Sequence, residues 1–171
     1  MNEPIARLLA QQEIADVQYR YCRGLDRMDK PMVQAVWHED GTADYGQYFR
    51  GTATAFIEWV WTYHATLHRH THQFHSQLVE FKGPDRAVSE AYYTVALREH
   101  LGGRRYVDLL FRNRYLDRWS RREQRWAIDH RQCLVELGDR RDLELSADVD
   151  GSSFPVRRDL QDPSYANFAS L

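Results

Sequence analysis

Four of the eight histidines in this 171-residue chain lie in one ten-residue stretch, HRHTHQFHSQ, which runs from His68 to Gln77. Such a cluster is compatible with a metal site, with a set of acid–base groups or with an ordinary polar face. His70 and His72 are two residues apart, so on a β-strand they would share one face, a workable spacing for chelation. A catalytic zinc also needs a third ligand and an open position, and nothing in the local spacing requires a metal.

Acid–base chemistry is the stronger interpretation of the cluster. Histidine is the only side chain whose unperturbed pKa, about 6.5, lies near a working pH, so one imidazole can both take and return a proton. A neighbouring carboxylate would fix its tautomer and stabilise the imidazolium. Asp26 ends the first predicted helix and can meet the strand that carries His72. The alternative is that Asp26 serves only the turn, together with Asp29.

The composition narrows the class of protein. The chain is long enough for one domain with one core. Its five Trp, ten Tyr and seven Phe can fill that core and also line an apolar cavity edged with hydroxyls. A formal charge of −2 argues against nucleic acid as a partner, because phosphate recognition needs a basic face. Only Lys30 and Lys82 are lysines among the 23 basic residues, a bias that weakly indicates a bacterial source.

The cysteines and the amino end bear on the cellular compartment. Cys22 and Cys133 are too few for a zinc framework, although they could in principle pair. The amino end, MNEPIARLLAQQEIADV, has acids and amides where a signal peptide needs an unbroken apolar run. No stretch approaches the ~18 apolar residues of a membrane span. We therefore expect a soluble, cytoplasmic protein with reduced cysteines and no membrane partner.

The elements that must position these groups begin with helices. Apolar residues recur at helical spacing from residue 3 to about 26 and again from Thr52 to about Arg69. Pro31 suits the first turn of a second, short helix that runs to His38. The segment EDGTADYGQYFRGT then carries three glycines among polar and aromatic residues, which is typical of a small hairpin.

The second half of the chain changes to a period of two. The segment HQFHSQLVEF is followed by RAVSEAYYTVALREH, RYVDLLFRNRYLDRW and QRWAIDHRQCLVEL, with the turns KGPD, LGGR and SRRE between them. Four long strands joined by short turns predict an antiparallel meander. Helices grouped first and strands grouped last indicate an α+β domain in which a curved sheet wraps over a helical layer.

The pattern ends at about Gly138. The remainder mixes charge, Ser and Pro with the isolated aromatics Phe154, Tyr165 and Phe168. Two interpretations stay open: a floppy tail, or an arm pinned to its own or a neighbouring subunit. We assign residues 1–137 to one domain and 138–171 to a C-terminal arm.

In this order of elements the chain resembles the SnoaL-like branch of the nuclear transport factor 2-like superfamily. The resemblance covers roughly residues 3–137 and is carried by YRYCRGLDRMD, HTHQFHSQLVEF and WAIDHRQCLVEL. The branch includes polyketide cyclases, scytalone dehydratase, hexachlorocyclohexane dehydrochlorinase and a bile-acid dehydratase. The resemblance implies a cone-shaped, curved antiparallel or mixed sheet packed on three N-terminal helices, the cystatin-like α+β barrel.

The resemblance also implies site residues. Lyases of this branch use a His–Asp pair inside the cone, which by motif falls on His72 and Asp26. An Arg of the dehydrochlorinase type falls on Arg131, and a Tyr of the bile-acid enzyme falls on Tyr21. The chain departs from the pattern in its additional histidines and in having no lysine near Tyr21 to match the dehydrochlorinase. This second departure argues against dehalogenation.

Two of these assignments have alternatives in the sequence pattern. Tyr21 could donate from its hydroxyl to a substrate oxygen, or it could simply pack. Arg131 and Asp129 share one face of the last strand, and His130 lies on the other, but both faces are partly apolar. An inward Arg131 could stabilise an oxyanion or a leaving group; otherwise His130 takes the interior. The resemblance favours Arg131.

A cone-shaped sheet leaves a cavity between the helix and strand layers. A mainly apolar pocket with a few polar groups is what a small hydrophobic ligand requires. The predicted lining consists of large apolar residues from both halves of the chain: Trp37, Tyr45, Tyr48, Phe49, Trp59, Phe74, Tyr93, Leu97, Val107, Leu109 and Phe111.

Together these observations predict a cofactor-independent lyase, a dehydratase or an isomerase, that acts on a small hydrophobic cyclic oxygenated molecule. His72 would be the general base held by Asp26, with Tyr21 and Arg131 steadying the negative charge. One alternative is a non-catalytic ligand-binding or assembly subunit resembling the small subunit of ring-hydroxylating dioxygenases, which needs no buried His–Asp pair. A second is a metal-dependent enzyme that uses the His68–His75 cluster.

Self-association is a further expectation. Apolar residues on the outer face of the sheet, such as Val79, Phe81, Leu110 and Trp126, would be left uncovered by one subunit. The sequence therefore predicts a homodimer or a homotrimer and does not choose between them.

Overall fold

The helices and strands follow one another in the predicted order. The computed structural model describes residues 3–144 and 156–170. The first half contains helix α1 (Glu3–Asp26), helix α2 (Lys30–Gln34), strands β1 (Trp37–Asp44) and β2 (Arg50–Thr52), and helix α3 (Ala53–Thr66). The second half contains strands β3 (Arg69–Phe81), β4 (Arg86–His100), β5 (Arg105–Arg122) and β6 (Arg125–Glu144), and then helix α4 (Pro163–Phe168).

All six strands belong to one mixed sheet in the order β2-β1-β6-β5-β4-β3. Strands β3 to β6 form the predicted antiparallel meander. Strand β1 pairs antiparallel with β2 and parallel with β6, which makes the sheet mixed. The predicted fold class, an α+β domain with a sheet packed on N-terminal helices, is confirmed, and the sheet is open with β2 and β3 at its edges.

The second helix is shorter than predicted. It begins after Asp29, whose carboxylate accepts a hydrogen bond from the Met32 amide, and it ends at Gln34 instead of reaching His38. His38 belongs to β1, and its Nε2 lies 3.0 Å from the carbonyl oxygen of Ser120 on β5 of the same sheet. Pairing with a distant strand therefore overrides the local helical pattern at this point.

A β-bulge reverses the faces of β3. His70, His72 and Phe74 point towards the helices, and the pairing with β4 is then irregular between Phe74 and Gln77. Beyond this irregularity it is Val79 that is buried, although we expected it on the outer face. Trp126 is likewise part of the core, at 2% exposure. These two residues therefore do not contribute to an outer apolar face.

Of the residues described after position 137, those up to 144 belong to the sheet and those from 156 to 170 form a segment that lies on the domain. Strand β6 continues to Glu144, beyond the boundary that the sequence pattern predicted. Residues 156–170 lie against the end of α1: the Tyr165 hydroxyl donates to Asp29 over 2.7 Å, and the Arg23 guanidinium lies 4.5 Å from the Tyr165 ring centroid. The described part of the predicted arm is thus packed on its own domain, whereas Phe154 falls outside the described residues.

A helix that crosses a membrane must be both long and apolar. Within residues 3–144 and 156–170, no helix is both long and apolar enough to cross a bilayer.

Candidate active site

Asp26 and His72 meet where the end of α1 faces the start of β3. One carboxylate oxygen of Asp26 accepts a hydrogen bond from His72 Nδ1 over 2.8 Å, and the other accepts from the His72 backbone amide over 3.0 Å. Because an ionised carboxylate only accepts, the imidazole proton resides on Nδ1, and the Nε2 lone pair has no hydrogen-bond partner among residues 3–144 and 156–170. The His72 side chain is 4% exposed and forms part of a cavity wall. The arrangement is that of an oriented general base.

The end of α1 is built to hold Asp26 in place. The amide of Asp29 donates to the Gly24 carbonyl and the amide of Met28 donates to the Leu25 carbonyl, with Met28 in the left-handed region at φ 51°. This pair of bonds is the Schellman motif, which stops a helix at a defined residue. Gly24 is needed for the tight approach of α2, because a Cβ there would lie 2.6 Å from a methyl carbon of Val33.

The cavity lies between the helices and the inner face of the sheet and has a volume of about 510 Å³. Six of the residues predicted to line it are on its wall: Tyr45, Tyr48, Trp59, Leu97, Leu109 and Phe111. Five others, Trp37, Phe49, Phe74, Tyr93 and Val107, are not part of this wall. They pack in or against the core; Tyr93, for example, is 1% exposed and directs its hydroxyl to Gln18 over 2.6 Å. The alternation along a strand does not distinguish the cavity from the core beside it.

Two tyrosine hydroxyls form a polar spot on the mainly apolar wall. The hydroxyl oxygens of Tyr21 and Tyr45 are 2.9 Å apart. Burial raises the pKa of Tyr21, an effect that the nearby Arg131 opposes, and burial raises the pKa of Tyr45 well above its ordinary value. Both groups are therefore neutral at physiological pH. Since one hydroxyl donates to the other, one O–H remains free for a ligand oxygen.

Arg131 points into the domain, but it lies behind the cavity wall. The pairing of β5 with β6 is irregular between Arg118 and Trp119, which leaves Asp129 as an extra residue in β6. Because of this bulge, Ile128 and Arg131 are both fully buried, whereas His130 is partly exposed and its Nδ1 lies 2.8 Å from the Thr42 hydroxyl. The inward assignment of Arg131 over His130 therefore agrees with the structure, although Arg131 is not on the cavity wall.

Two of the three nitrogens of the Arg131 guanidinium bond within a buried network, whereas Nη1 has no hydrogen-bond partner in the described residues. Its Nε and Nη2 each donate to one oxygen of Asp117 over 2.8 Å, and Nη2 also donates to Gln18 over 2.6 Å. Its central carbon lies 4.4 Å from the ring centroids of both Tyr21 and Tyr115. Burial lowers the pKa of Arg131, but Asp117 more than offsets this and holds the pKa well above the ordinary value. Arg131 thus supports the tyrosines from behind and does not reach a ligand directly.

Two polar residues of the wall were not predicted as site residues. His64 on α3 is 3% exposed, and its ring centroid lies 5.6 Å from that of His72. Burial, with smaller contributions from His72 and His70, lowers the pKa of His64 to about 2, so it is neutral. Asn113 on β5 is 8% exposed, and its Oδ1 has no hydrogen-bond partner within the described residues. Its signal in the sequence was a polar residue on the apolar face that also carries Leu109 and Phe111.

The other histidines of the cluster have separate positions. His70 is buried behind the wall, where its Nε2 lies 2.8 Å from the Leu25 carbonyl oxygen, and His75 is exposed on β3. The His68 ring lies beside Tyr106, with 5.1 Å between the centroids. Across residues 3–144 and 156–170, no three His, Cys, Asp or Glu side chains are grouped so that they could hold a metal ion. The cluster therefore gives no support to the metal-dependent alternative.

The cysteines are not suited to nucleophilic chemistry. Cys22 and Cys133 are both free thiols, and Cys133 lies on the cavity wall. Burial raises the pKa of each to about 12. Because only the thiolate is a strong nucleophile, these groups act as small apolar residues at neutral pH.

Comparisons with known proteins agree with this fold. Residues 6–132 match the family model described as the SnoaL-like domain. The hexachlorocyclohexane dehydrochlorinase LinA-type3 from Novosphingobium barchaimii is 15% identical, with a TM-score of 0.71 over 81% of this chain and 94% of that chain. A protein assigned as a scytalone dehydratase from Novosphingobium aromaticivorans is 16% identical, with a TM-score of 0.71 over 84% and 94%.

A third solved structure has a higher identity and a shorter overlap. The Mycobacterium tuberculosis protein Rv3472, described as being of unknown function, is 23% identical, with a TM-score of 0.64 over 75% of this chain and 77% of that chain. No curated protein matches the sequence. At these identities the solved structures establish only the fold, whereas the match to the family model assigns the chain to a family.

Proposed function

This chain belongs to the SnoaL-like domain family, and on that premise we propose that it is a cofactor-independent lyase that dehydrates a small hydrophobic cyclic ketone. The observation that carries the proposal is the 2.8 Å bond between Asp26 and His72 Nδ1, which leaves Nε2 of a wall residue available as a base. Most buried polar atoms are satisfied within the protein, so an unpaired ring nitrogen on a cavity wall is available to a ligand. A non-catalytic assembly subunit would not need such a pair beside a cavity.

The proposed reaction is an elimination through an enolate. His72 Nε2 takes the proton from the carbon beside the ketone, and the electron pair of the C–H bond moves onto the carbonyl oxygen. The carbonyl then re-forms as the bond to the neighbouring hydroxyl breaks and a carbon–carbon double bond forms. The imidazolium returns its proton to the departing oxygen, which leaves as water. Asp26 stabilises the charged imidazole between these two steps.

The remaining polar groups of the wall suit the other parts of this substrate. The free O–H of the Tyr21–Tyr45 pair would donate to the enolate oxygen, and such donors stabilise developing charge strongly in a site that excludes water. Arg131 would act through the Tyr21 ring, since the guanidinium is fully buried and is not part of the cavity wall. Asn113 would accept from or donate to a further oxygen substituent.

The rest of the wall defines the substrate as largely apolar. Aromatic and aliphatic side chains surround the polar groups, among them Trp59, Leu97, Leu109 and Phe111. A volume of about 510 Å³ lies within the range of ordinary small-molecule sites and suits a molecule of roughly one to three rings. We therefore propose a hydroxylated ring ketone as the substrate class.

The test is dehydration of a panel of cyclic β-hydroxyketones, followed by the ultraviolet absorbance of the conjugated product. Because a positioned general base contributes about 10²–10⁴-fold, His72→Ala and Asp26→Asn should lower the rate by about that factor. The matched controls are His75→Ala on the exposed part of the same strand and Asp16→Asn on the same helix; both should retain the wild-type rate. Wild-type rates in His72→Ala would remove the proposal.

A further inference from the structure

The buried ring of His70 is held from two sides. Its Nε2 lies 2.8 Å from the Leu25 carbonyl oxygen, and its Nδ1 lies 3.1 Å from Nη1 of Arg158. A guanidinium only donates, so Nδ1 must accept and the ring proton must reside on Nε2, where it is donated to Leu25. The tautomer of His70 is therefore fixed from both sides, by the Leu25 carbonyl and by Arg158, a residue of the 156–170 segment.

Leu25 directly precedes Asp26, so His70 is bonded to the backbone that presents the carboxylate of the catalytic pair. Arg158 also donates to the His64 carbonyl over 3.0 Å and so ties the end of α3 to the same point. A contiguous set of contacts thus runs from Arg158 through His70 and Leu25 to Asp26 and His72.

The 156–170 segment makes further polar contacts with the end of α1 and the turn after it. Arg23 donates to the Ser164 hydroxyl over 3.0 Å, and Arg27 Nε lies 3.3 Å from the Asp162 carboxylate. With the bond from Tyr165 to Asp29, the segment contacts residues on both sides of Asp26 along the chain. These contacts join the segment to the helix end that carries the proposed acid partner.

We propose that Arg158, acting through His70, is a positioning residue for the Asp26–His72 pair, and that the 156–170 segment is therefore part of the active-site architecture. Burial keeps His70 neutral, and the bond from Arg158 holds its ring in the orientation that donates to the Leu25 carbonyl. Loss of Arg158 removes that bond and the bond to the His64 carbonyl, so the His70 ring is held from one side only. The backbone that presents Asp26 would then be less firmly placed, and the base would lose its orientation.

The electrostatic surroundings of His70 agree with this role. The titratable groups that face it are Asp26 from α1, His64 from α3, His72 from β3 and Arg158 from the segment; its partner on β4, Leu97, is uncharged. Burial lowers the pKa of His70 to about 4, and Arg158 contributes to the lowering. Without Arg158 the pKa of His70 should rise.

The first test is histidine ¹⁵N NMR, which does not depend on a substrate. Wild type should show a neutral His70 with its proton on Nε2 down to about pH 5, a signal that a His70→Gln variant identifies. In Arg158→Gln, His70 should titrate at a higher pH and the Nδ1 proton of His72 should broaden or disappear. Arg158→Lys keeps a cationic donor and should restore the wild-type spectrum. The matched control is Arg157→Gln, whose side chain bonds only to Asp159 in the described residues.

The second test is kinetic and rests on the proposed function. Because misplacing a catalytic group by about 1 Å can cost 10²-fold, Arg158→Gln should lower kcat by roughly 10–100-fold with little change in KM. The acid limb of its pH–rate profile should also move to higher pH. Arg157→Gln should behave as wild type in both respects.

The two tests separate failure of this inference from failure of the proposed function. A wild-type His70 with its proton on Nδ1 would overturn the inference even if no variant folds. So would an Arg158→Gln protein whose His70 and His72 signals match those of Arg157→Gln. If the spectra are as expected but the protein dehydrates no substrate of the panel, the role of Arg158 in positioning would stand and the proposed reaction would be wrong.

Discussion

Two pairs of an acidic and a basic side chain lie in the same domain, and they differ in whether the basic partner can exchange a proton at a cavity. Asp117 and Arg131 are completely buried, and both carboxylate oxygens and two guanidinium nitrogens are used within their network. Asp26 and His72 are 13% and 4% exposed, and the pair leaves one ring nitrogen free at a cavity. Both pairs join an acidic and a basic neighbour, and Arg131 Nη1 has no hydrogen-bond partner within the described residues. That nitrogen is buried and has no lone pair, however, so only His72 offers a ring nitrogen that can exchange a proton at the cavity wall.

The comparison shows why burial alone is a poor guide to a catalytic group. Arg131 cannot lose its proton, so its charge can only be compensated, and Asp117 does this with bidentate geometry. His72 can lose and regain a proton, and Asp26 bonds only one of its nitrogens. The fixed pair, Asp117 and Arg131, therefore supports the wall residue Tyr21 from behind. The exchangeable pair, Asp26 and His72, is suited to proton transfer.

The largest expected change in stability comes from breaking the fixed pair. Asp117→Ala should lower the free energy of unfolding by about 3–5 kcal/mol, because it leaves the Arg131 charge buried without a partner. Urea denaturation monitored by tryptophan fluorescence measures this. The matched control is Asp108→Ala, which breaks the partly exposed pair with Arg98 and should cost no more than about 1 kcal/mol. Equal losses in the two variants would contradict the distinction between the pairs.

Acid should destabilise the fold through two buried histidines that lie near the Asp26–His72 pair, His64 and His70. Burial lowers the pKa of His64 to about 2 and of His70 to about 4, whereas an unfolded histidine has a pKa of about 6.5. The unfolded state therefore binds protons first as the pH falls, so the free energy of unfolding should decrease from about pH 6.5 downwards. His70 alone should account for roughly 3 kcal/mol by pH 4.

Unfolding measured at several pH values between 7 and 4.5 tests this prediction. His70→Gln should remove about one proton from the dependence of stability on pH, and His75→Gln, on the exposed part of β3, should leave it unchanged. A wild-type stability that stays constant across this range would show that the buried rings are not kept neutral.

The smallest expected change in stability comes from the exchangeable pair itself. Asp26→Asn keeps an oxygen that can accept from the His72 amide, so the free energy of unfolding should change by no more than about 1 kcal/mol. The same variant should lose most of the proposed activity. The result measured beside Asp117→Ala gives the contrast directly: one carboxylate matters for stability, and the other for turnover. If Asp26→Asn lowered the free energy of unfolding by several kcal/mol, the Asp26–His72 pair would serve stability just as the Asp117–Arg131 pair does, and the contrast would be wrong.

The sequence predicts the architecture well because the architecture depends on local periodicity. Four segments with a period of two, joined by short turns, became the meander β3–β6, and the long helical patterns became α1 and α3. The helix predicted to reach His38 ended at Gln34, because parallel pairing of β1 with β6 involves residues about ninety positions apart. Single-sequence periodicity carries no information about such a partner.

The site was predictable only in part for a similar reason. Asp26 and His72 were assigned from a family resemblance, and the structure brings them within 2.8 Å. The two bulges, near His75 and at Asp129, reverse the face of a strand and cannot be read from an alternating pattern. Tyr93 is different: it shares the inner face of β4 with the wall residues Val95 and Leu97, but it packs in the core, because one strand face covers both the core and the cavity. His64 was predicted as a helix residue, and nothing in its local sequence indicates that it faces His72.

The central claim is that His72 is a base that Asp26 orients, and proton exchange tests it most directly. Cyclic ketones that bind but lack the leaving hydroxyl can be incubated with the protein in deuterated water, and deuterium at the carbon beside the carbonyl can be followed by NMR. The account predicts exchange with wild type and His75→Ala, and a rate lower by about 10²–10⁴-fold with His72→Ala and Asp26→Asn. Exchange that proceeds equally fast in wild type and His72→Ala would contradict the account.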